Sequence, residues 1–154
     1  MFASCSNITV AEIPNGVTSI SHQAFGGCSK LALTELPSGL TSIGNGAFSG
    51  CIEIALTELP SGLTSIGAFA FSGCSKLALT ELPSGLTAFG QGVFQNCTGL
   101  HTMKFNSKPS GLTGNFFTGC TNLLNIYVPW SEGEVANAPW GAVNATITYN
   151  YTGG

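Results

Sequence analysis

The sequence predicts a solenoid: a single domain of stacked 23-residue turns, made of short parallel strands, turns and short helical segments and closed by a β-rich C-terminal cap. Three observations carry this. The six cysteines, Cys5, Cys28, Cys51, Cys74, Cys97 and Cys120, fall 23 residues apart throughout. The stretch CSKLALTELPSGLTSIGNGAFSG that begins at Cys28 returns at Cys74 as CSKLALTELPSGLTAFGQGVFQN. Four apolar columns keep the same period. No single unit could bury four such columns, so neighbours must stack and share one core.

With each cysteine as position one, position four is Ile8, Leu31, Ile54, Leu77, Leu100 and Leu123, and position nine is Ile13, Leu36, Leu59, Leu82, Phe105 and Val128. Position sixteen carries Ile20, Ile43, Ile66, Phe89, Leu112 and Val135. Position twenty-one is aromatic, with Phe25, Phe48, Phe71, Phe94, Phe117 and finally Trp140; Phe2 falls in the same column one turn earlier. Pro14, Pro37, Pro60, Pro83 and Pro129 recur at position ten, and glycines at seventeen, nineteen and twenty-three, which argues against long helices. The expected cross-section has a strand over positions four to nine, a turn at Pro-Ser-Gly and a second extended piece near Leu40–Ile43. The Gly-Ala-Phe-Ser-Gly stretch should close it as a compact helical turn or loop. The units are 5–27, 28–50, 51–73, 74–96 and 97–119, preceded by the end of a truncated repeat at 1–4 and followed by a last strand and cap over 120–154.

Composition narrows the function. Only 7% of the 154 residues are charged, all Glu or Lys, with no Asp and no Arg, for a net charge of -3. Nothing here could release counterions from a nucleic acid backbone or hold the chain on an anionic membrane. The uncharged stretches are rich in Gly, Thr, Asn and Ser, so none reads as a membrane span. The N-terminal MFASCSNITV lacks the basic start and apolar core of a signal peptide. The chain is expected to be a fragment of a larger protein.

The pattern of Cys, Leu, apolar strand positions, Pro, Leu-x-x-Ile-Gly and Ala-Phe closely resembles the BspA-like, Treponema-type leucine-rich repeats over residues 2–129. The tail from Trp130, VPWSEGEVANAPWGAVNATITYNY with its flanking residues, is similar to caps found with such repeats in gut bacteria and their phages. The resemblance implies a right-handed leucine-rich-repeat solenoid, exposed at a cell surface or on a virion and concerned with adhesion or host recognition.

Each chemically suggestive feature has a plainer reading beside it. Equivalent residues in stacked turns lie about 4.8 Å apart with parallel side chains. A disulfide needs Cβ atoms about 3.5–4.5 Å apart and turned toward each other, and zinc needs ligands on all sides. The cysteines, including Cys28, Cys51, Cys74 and Cys97, are therefore expected as buried free thiols within the spine. Position eight stacks Glu12, Glu35, Glu58 and Glu81, either a cation or ligand site or a solvated face. Position three alternates Lys30, Glu53 and Lys76, an ion-pair ladder of small value.

One column departs from the family. Its apolar residue at position seven is replaced by Ala11, Thr34, Thr57 and Thr80, while Leu33, Leu56 and Leu79 stand at position six. A shift of one place sends a strand side chain to the opposite face. Either the chain shifts locally to bury these leucines, or they form an exposed stripe beside the glutamates and a candidate binding site. Positions eighteen and nineteen vary most, with His22 and Gln23, Asn45 and Gly46, Ala68 and Phe69, Gln91 and Gly92. Phe69 either anchors a ligand or packs over the loop beside it. The candidate surface is thus Leu33, Glu35, Leu56, Glu58, Leu79, Glu81, Phe69 and His22.

Catalysis has little to work with. His22 and His101 stand in different columns, no hydrolase, zincin or phosphate-loop motif occurs, and Glu132 and Glu134 read as a solvated loop pair. The expectation is a non-enzymatic surface adhesion or receptor-recognition module without cofactor or metal, on a bacterium or at a phage tail tip, whose partner is a protein or glycan on a host or neighbouring cell. A structural spacer in a larger assembly is the alternative. The uncapped N-terminal face, with Phe2, Ile8 and Val10, is expected to self-associate.

Overall fold

Proline, glycine and threonine at fixed places bend each 23-residue unit into one flat turn of a solenoid, and backbone hydrogen bonds join each turn to the next. The computed structural model describes residues 7–9, 12–112 and 114–153. Among these, eight short strands occur: β1 Ser19–Ile20, β2 Ser42–Ile43, β3 Ser65–Ile66, β4 Glu81–Leu82, β5 Ala88–Phe89, β6 Thr102–Phe105, β7 Asn125–Tyr127 and β8 Thr146–Thr148. They form two parallel four-stranded sheets, β1-β2-β3-β5 and β4-β6-β7-β8.

The turn at Pro-Ser-Gly forms as the sequence predicts, with the N–H of Leu40 and Leu63 donating to the carbonyls of Pro37 and Pro60 at 3.0 Å. The chain then extends through Thr-Ser-Ile. Serine lies beside serine and isoleucine beside isoleucine from β1 to β3, and β5 continues with Ala88 and Phe89. The threonines before these strands add a second tie, since the hydroxyls of Thr41 and Thr64 donate to the carbonyls of Thr18 and Thr41 at 3.0 Å.

No helix forms among the described residues; the Ala-Phe stretch is a run of tight turns that pairs with its neighbours instead. The N–H groups of Gln23, Phe25 and Gly27 donate to the carbonyls of Asn45, Ala47 and Ser49 at 2.7–2.9 Å, and the same triplet recurs one turn later at Gly46, Phe48 and Gly50. A regular helix would use those donors along its own axis; here they point along the stack. Glycine at position seventeen allows the close approach. A Cβ on Gly44, Gly67 or Gly90 would collide with the backbone of His22, Asn45 or Ala68 in the preceding turn.

The strand expected over positions four to nine exceeds two residues only where the sequence alternates. In the fifth unit Leu100, Met103 and Phe105 are buried while His101 and Lys104 face outward, and β6 runs for four residues. In the units with leucine at six, burial moves to other positions. The third unit buries Ile54, Leu56 and Leu59 and turns both Thr57 and Glu58 outward; the second buries Leu31 and Leu33 and turns Thr34 and Glu35 outward. Two successive outward residues break the period-two pattern. No strand forms over 31–36 or 54–59, and only the two-residue β4 forms over 77–82. One ladder bond survives at each step, Ala55 N–H to the Leu33 carbonyl and Ala78 N–H to that of Leu56, at 2.9 and 3.0 Å.

The spine is the stack of Phe25, Phe48, Phe71, Phe94 and Phe117, with ring centroids 5.4, 5.4, 5.9 and 5.9 Å apart and planes within 16° of parallel. Trp140 does not extend this stack in register. Its carbonyl accepts from Phe117 N–H, the role that Ala47, Ala70, Val93 and Phe116 at position twenty play for earlier turns. Its ring meets Phe105, Phe116 and Trp130 at centroid distances of 5.6, 6.3 and 6.4 Å. Position twenty thus grows from Ala47 and Ala70 through Val93 and Phe116 to Trp140, and the bulky end of this series fills the core where the stack ends. The strand β8 then pairs with β7, placing Thr148 beside Tyr127. At the other end Ile8 is half-buried, while Phe2 and Val10 lie outside the described residues.

Candidate binding surface

Burial decides which columns can meet a partner. Leu33, Leu56 and Leu79 are 0%, 0% and 1% exposed, so these three leave the candidate surface and join the core. The local shift that breaks the strand is what brings position six inward. Phe48, Phe71, Phe94, Phe117 and Trp140 are buried too, whereas Phe25 at the N-terminal end of the stack is partly covered.

Cys28, Cys51, Cys74, Cys97 and Cys120 are buried and carry no disulfide, and Cys5 lies outside the described residues. They are more than small apolar groups. The thiols of Cys51, Cys74, Cys97 and Cys120 donate to the carbonyls of Phe25, Phe48, Phe71 and Phe94 in the preceding turn, at 2.9–3.1 Å. Burial, reinforced by the neighbouring thiol in the column, pushes the Cys51 thiol up to about 12 and raises Cys74 and Cys97 far above the ordinary range. Burial also pushes Cys120 up to about 11. A thiol held protonated is a poor nucleophile and a poor metal ligand. The column ties turns together.

Outside the core, two surfaces run along the stack. The first follows the glutamates. Glu35, Glu58 and Glu81 line a groove of about 480 Å³ with Ser38, Ser61 and Pro83, and Glu12 and Glu35 line a neighbouring one of about 330 Å³ with Asn15. Glu81 lies 3.9 Å from Lys104 and accepts from the Asn106 amide at 3.2 Å. Beyond Lys104 the same column continues with Tyr127, whose ring lies 4.8 Å from Tyr151. At position three the ladder is partial: Lys76 pairs with Glu53, and Lys30 instead donates to Asn7 at 3.1 Å.

The second surface is a trough of about 670 Å³ over β1, β2, β3 and β5. Ser19, Ser42 and Ser65 run along it over a floor of Ile20, Ile43 and Ile66, with His22, Asn45 and Ala68 at its margin. Asn45 also has a structural duty, since its side-chain oxygen accepts the Ala68 N–H at 2.9 Å. At its C-terminal end the trough reaches Gly111, which it shares with a pocket of about 470 Å³ lined by Gln91, Gly114, Asn115 and Asn137. Phe69 stands one residue past Ala68, 41% exposed. The ring lies against Gly92, as the packing reading expects, and a large part of it still faces water.

Sequence reasoning missed the trough because its column gives a weak signal: position fifteen is Ser19, Ser42 and Ser65 but Ala88 and Gly111 afterwards, and small polar residues read as ordinary surface. Gln91, Gly114 and Asn137 share position eighteen and Asn115 stands at nineteen, so the period groups them without showing that they line a pocket. In the cap, Glu134 is not merely solvated. Its carboxylate accepts the Ser131 N–H at 2.7 Å and meets Lys108 at 3.1 Å, and these contacts hold it below the usual carboxylate range. Among the described residues no group of three His, Cys, Asp or Glu side chains is placed to hold a metal ion. No helix among them is long and apolar enough to cross a membrane.

Turns stacked in register around a shared core, with surface columns spanning several units, define a solenoid repeat protein. The chain belongs to the BspA-type leucine-rich repeat family, whose repeat matches six times over residues 1–130. Two solved structures are similar. A leucine-rich repeat protein of T. pallidum shares 34% identity, with a TM-score of 0.72 over 82% of this chain and 62% of its own. A leucine-rich repeat protein from Bacteroides ovatus shares 35%, with a TM-score of 0.70 over 80% of this chain and 32% of its own. The chain therefore spans less than two thirds of either relative. No curated protein sequence matches it.

Proposed function

We propose that this domain is a non-catalytic recognition module, displayed on the outside of a cell or on a phage tail, that binds a protein or glycan on a host or neighbouring surface. The observation that carries the reading is the pair of surface grooves running along the stack, each built from columns spanning three or more turns. Such surfaces arise in solenoids because per-turn columns align, and they suit extended partners. The chemistry available there is hydroxyl, amide, one imidazole at His22, backbone and carboxylate, without an activated nucleophile or a paired acid and base. A spacer role draws support from the same hydrogen-bonded stack, in which the stretch ALTELPSGLT recurs unchanged in three consecutive units.

Solid-phase binding of the 154-residue chain to mucin, matrix proteins and host-surface extract separates the two. Saturable binding that disappears on altering the groove residues supports recognition. A chain that binds none of these surfaces leaves the spacer.

A further inference from the structure

We propose that the serine trough and the amide pocket beside it form one site for an uncharged glycan chain, with the Phe69 ring as the platform on which one sugar stacks. The proposal rests on the recognition reading above and names the class of partner.

The site's chemistry is neutral. The trough runs from Ser19 to Gly111 and the pocket continues it through Gln91, Asn115 and Asn137, and neither is lined by a carboxylate or an ammonium. Four steps of about 4.8 Å give the trough a length of roughly 19 Å. Hydroxyls and carboxamides each donate and accept hydrogen bonds, as sugar hydroxyls do. A charged chain laid here would lose water without gaining a counter-charge. An extended peptide would seek an open strand edge, whereas this surface is a sheet face whose backbone groups are paired along the stack.

Phe69 supplies an independent observation. Position nineteen is left-handed in four successive turns, with φ of 49° at Gln23, 59° at Gly46, 57° at Phe69 and 61° at Gly92. Glycine accepts that conformation freely; a bulky aromatic does not. The strain is not offset by core burial, because Phe69 is 41% exposed. Its ring lies close over Gly92, where a Cβ would collide with it. The residue stands where the two depressions meet: Ala68 before it lines the trough, and its N–H donates at 2.8 Å to the carbonyl of Gln91, which lines the pocket. An exposed aromatic ring on a strained residue, bordering a hydroxyl-and-amide groove, is suited to receive the C–H face of a pyranose at that groove's edge.

The test is an array of neutral oligosaccharides (glucans, mannans, galactans and N-acetylhexosamine-containing mucin cores) printed beside sialylated and sulfated counterparts, with hits titrated by calorimetry. The expected result is a neutral ligand whose affinity changes by less than about twofold between low and high salt, because no ion pair is screened. Phe69→Gly should weaken it by roughly tenfold or more while raising the melting temperature, and Phe69→Tyr should restore it. Binding confined to charged glycans, or a Phe69→Gly variant that binds as the parent does, overturns the proposal. So does a chain that ignores every glycan but captures a protein ligand with Phe69→Gly unimpaired, and in that case the recognition reading stands. A chain that binds neither glycan nor protein removes both.

Discussion

Individual residues divide sharply into those the stack cannot lose and those it barely notices. Phe71 is fully buried between Phe48 and Phe94, so Phe71→Ala leaves a cavity that neighbours on both sides are held away from by their own hydrogen bonds. Chemical denaturation should show a loss of about 3–5 kcal/mol. Glu58 faces water, and Glu58→Gln should change stability by less than about 0.5 kcal/mol. Leu56→Ser places a hydroxyl in the core and should remove about 3 kcal/mol or more; a neutral outcome would put position six back on the surface. The aromatic column, the prolines and the cysteines were legible from spacing alone. The burial of Leu33, Leu56 and Leu79 was not, because periodicity shows that a position repeats without showing which way it points.

At the scale of elements, strand formation follows the alternation of side chains more than the identity of the family. The unit that holds β6 has apolar residues at four, seven and nine, and the strand extends for four residues, whereas the units with leucine at six form at most the two-residue β4 and are joined to each other by a single ladder bond at each step. Exchanging Leu-Thr for Thr-Ile at 33–34, 56–57 and 79–80 together should restore alternation and lengthen the sheet. Slower amide exchange at residues 33–35 and 56–58 and a stronger β-sheet infrared band would report it. The same exchange in one unit alone should destabilise the chain, since a lone shifted column clashes with its neighbours. The cap shows a related limit of sequence reading. Trp140 falls in the aromatic column by counting, yet one residue of slip between turns sets it beside Phe116, and such slips are invisible to a fixed period.

For the whole molecule, the thiol column links folding to pH. Cys74 and Cys97 stay protonated in the folded chain well above the ordinary thiol range, while in the unfolded chain they ionise near about 8.5. The folded state then holds more protons, so stability is complete below that value and falls as pH rises through and beyond it. Each such thiol contributes a slope of about 1.4 kcal/mol per pH unit. With Cys51 and Cys120 raised as well, to about 12 and about 11, unfolding should become steep above roughly pH 9. Replacing Cys74 by Ala should flatten that slope by about one thiol's share. The acid limb should be shallow, because Glu134 is held low only by contacts at an exposed site.

In-register stacking around a buried cysteine column is the claim on which the rest depends, and counting thiols with a chromogenic reagent, without reductant, tests it most directly. Native protein should leave Cys28, Cys51, Cys74, Cys97 and Cys120 unreacted over the time in which an exposed thiol is consumed. Denatured protein should then release all 6 equivalents. Rapid reaction of several thiols in the native state, or fewer than 6 on denaturation, would contradict the parallel column and the stack that builds it.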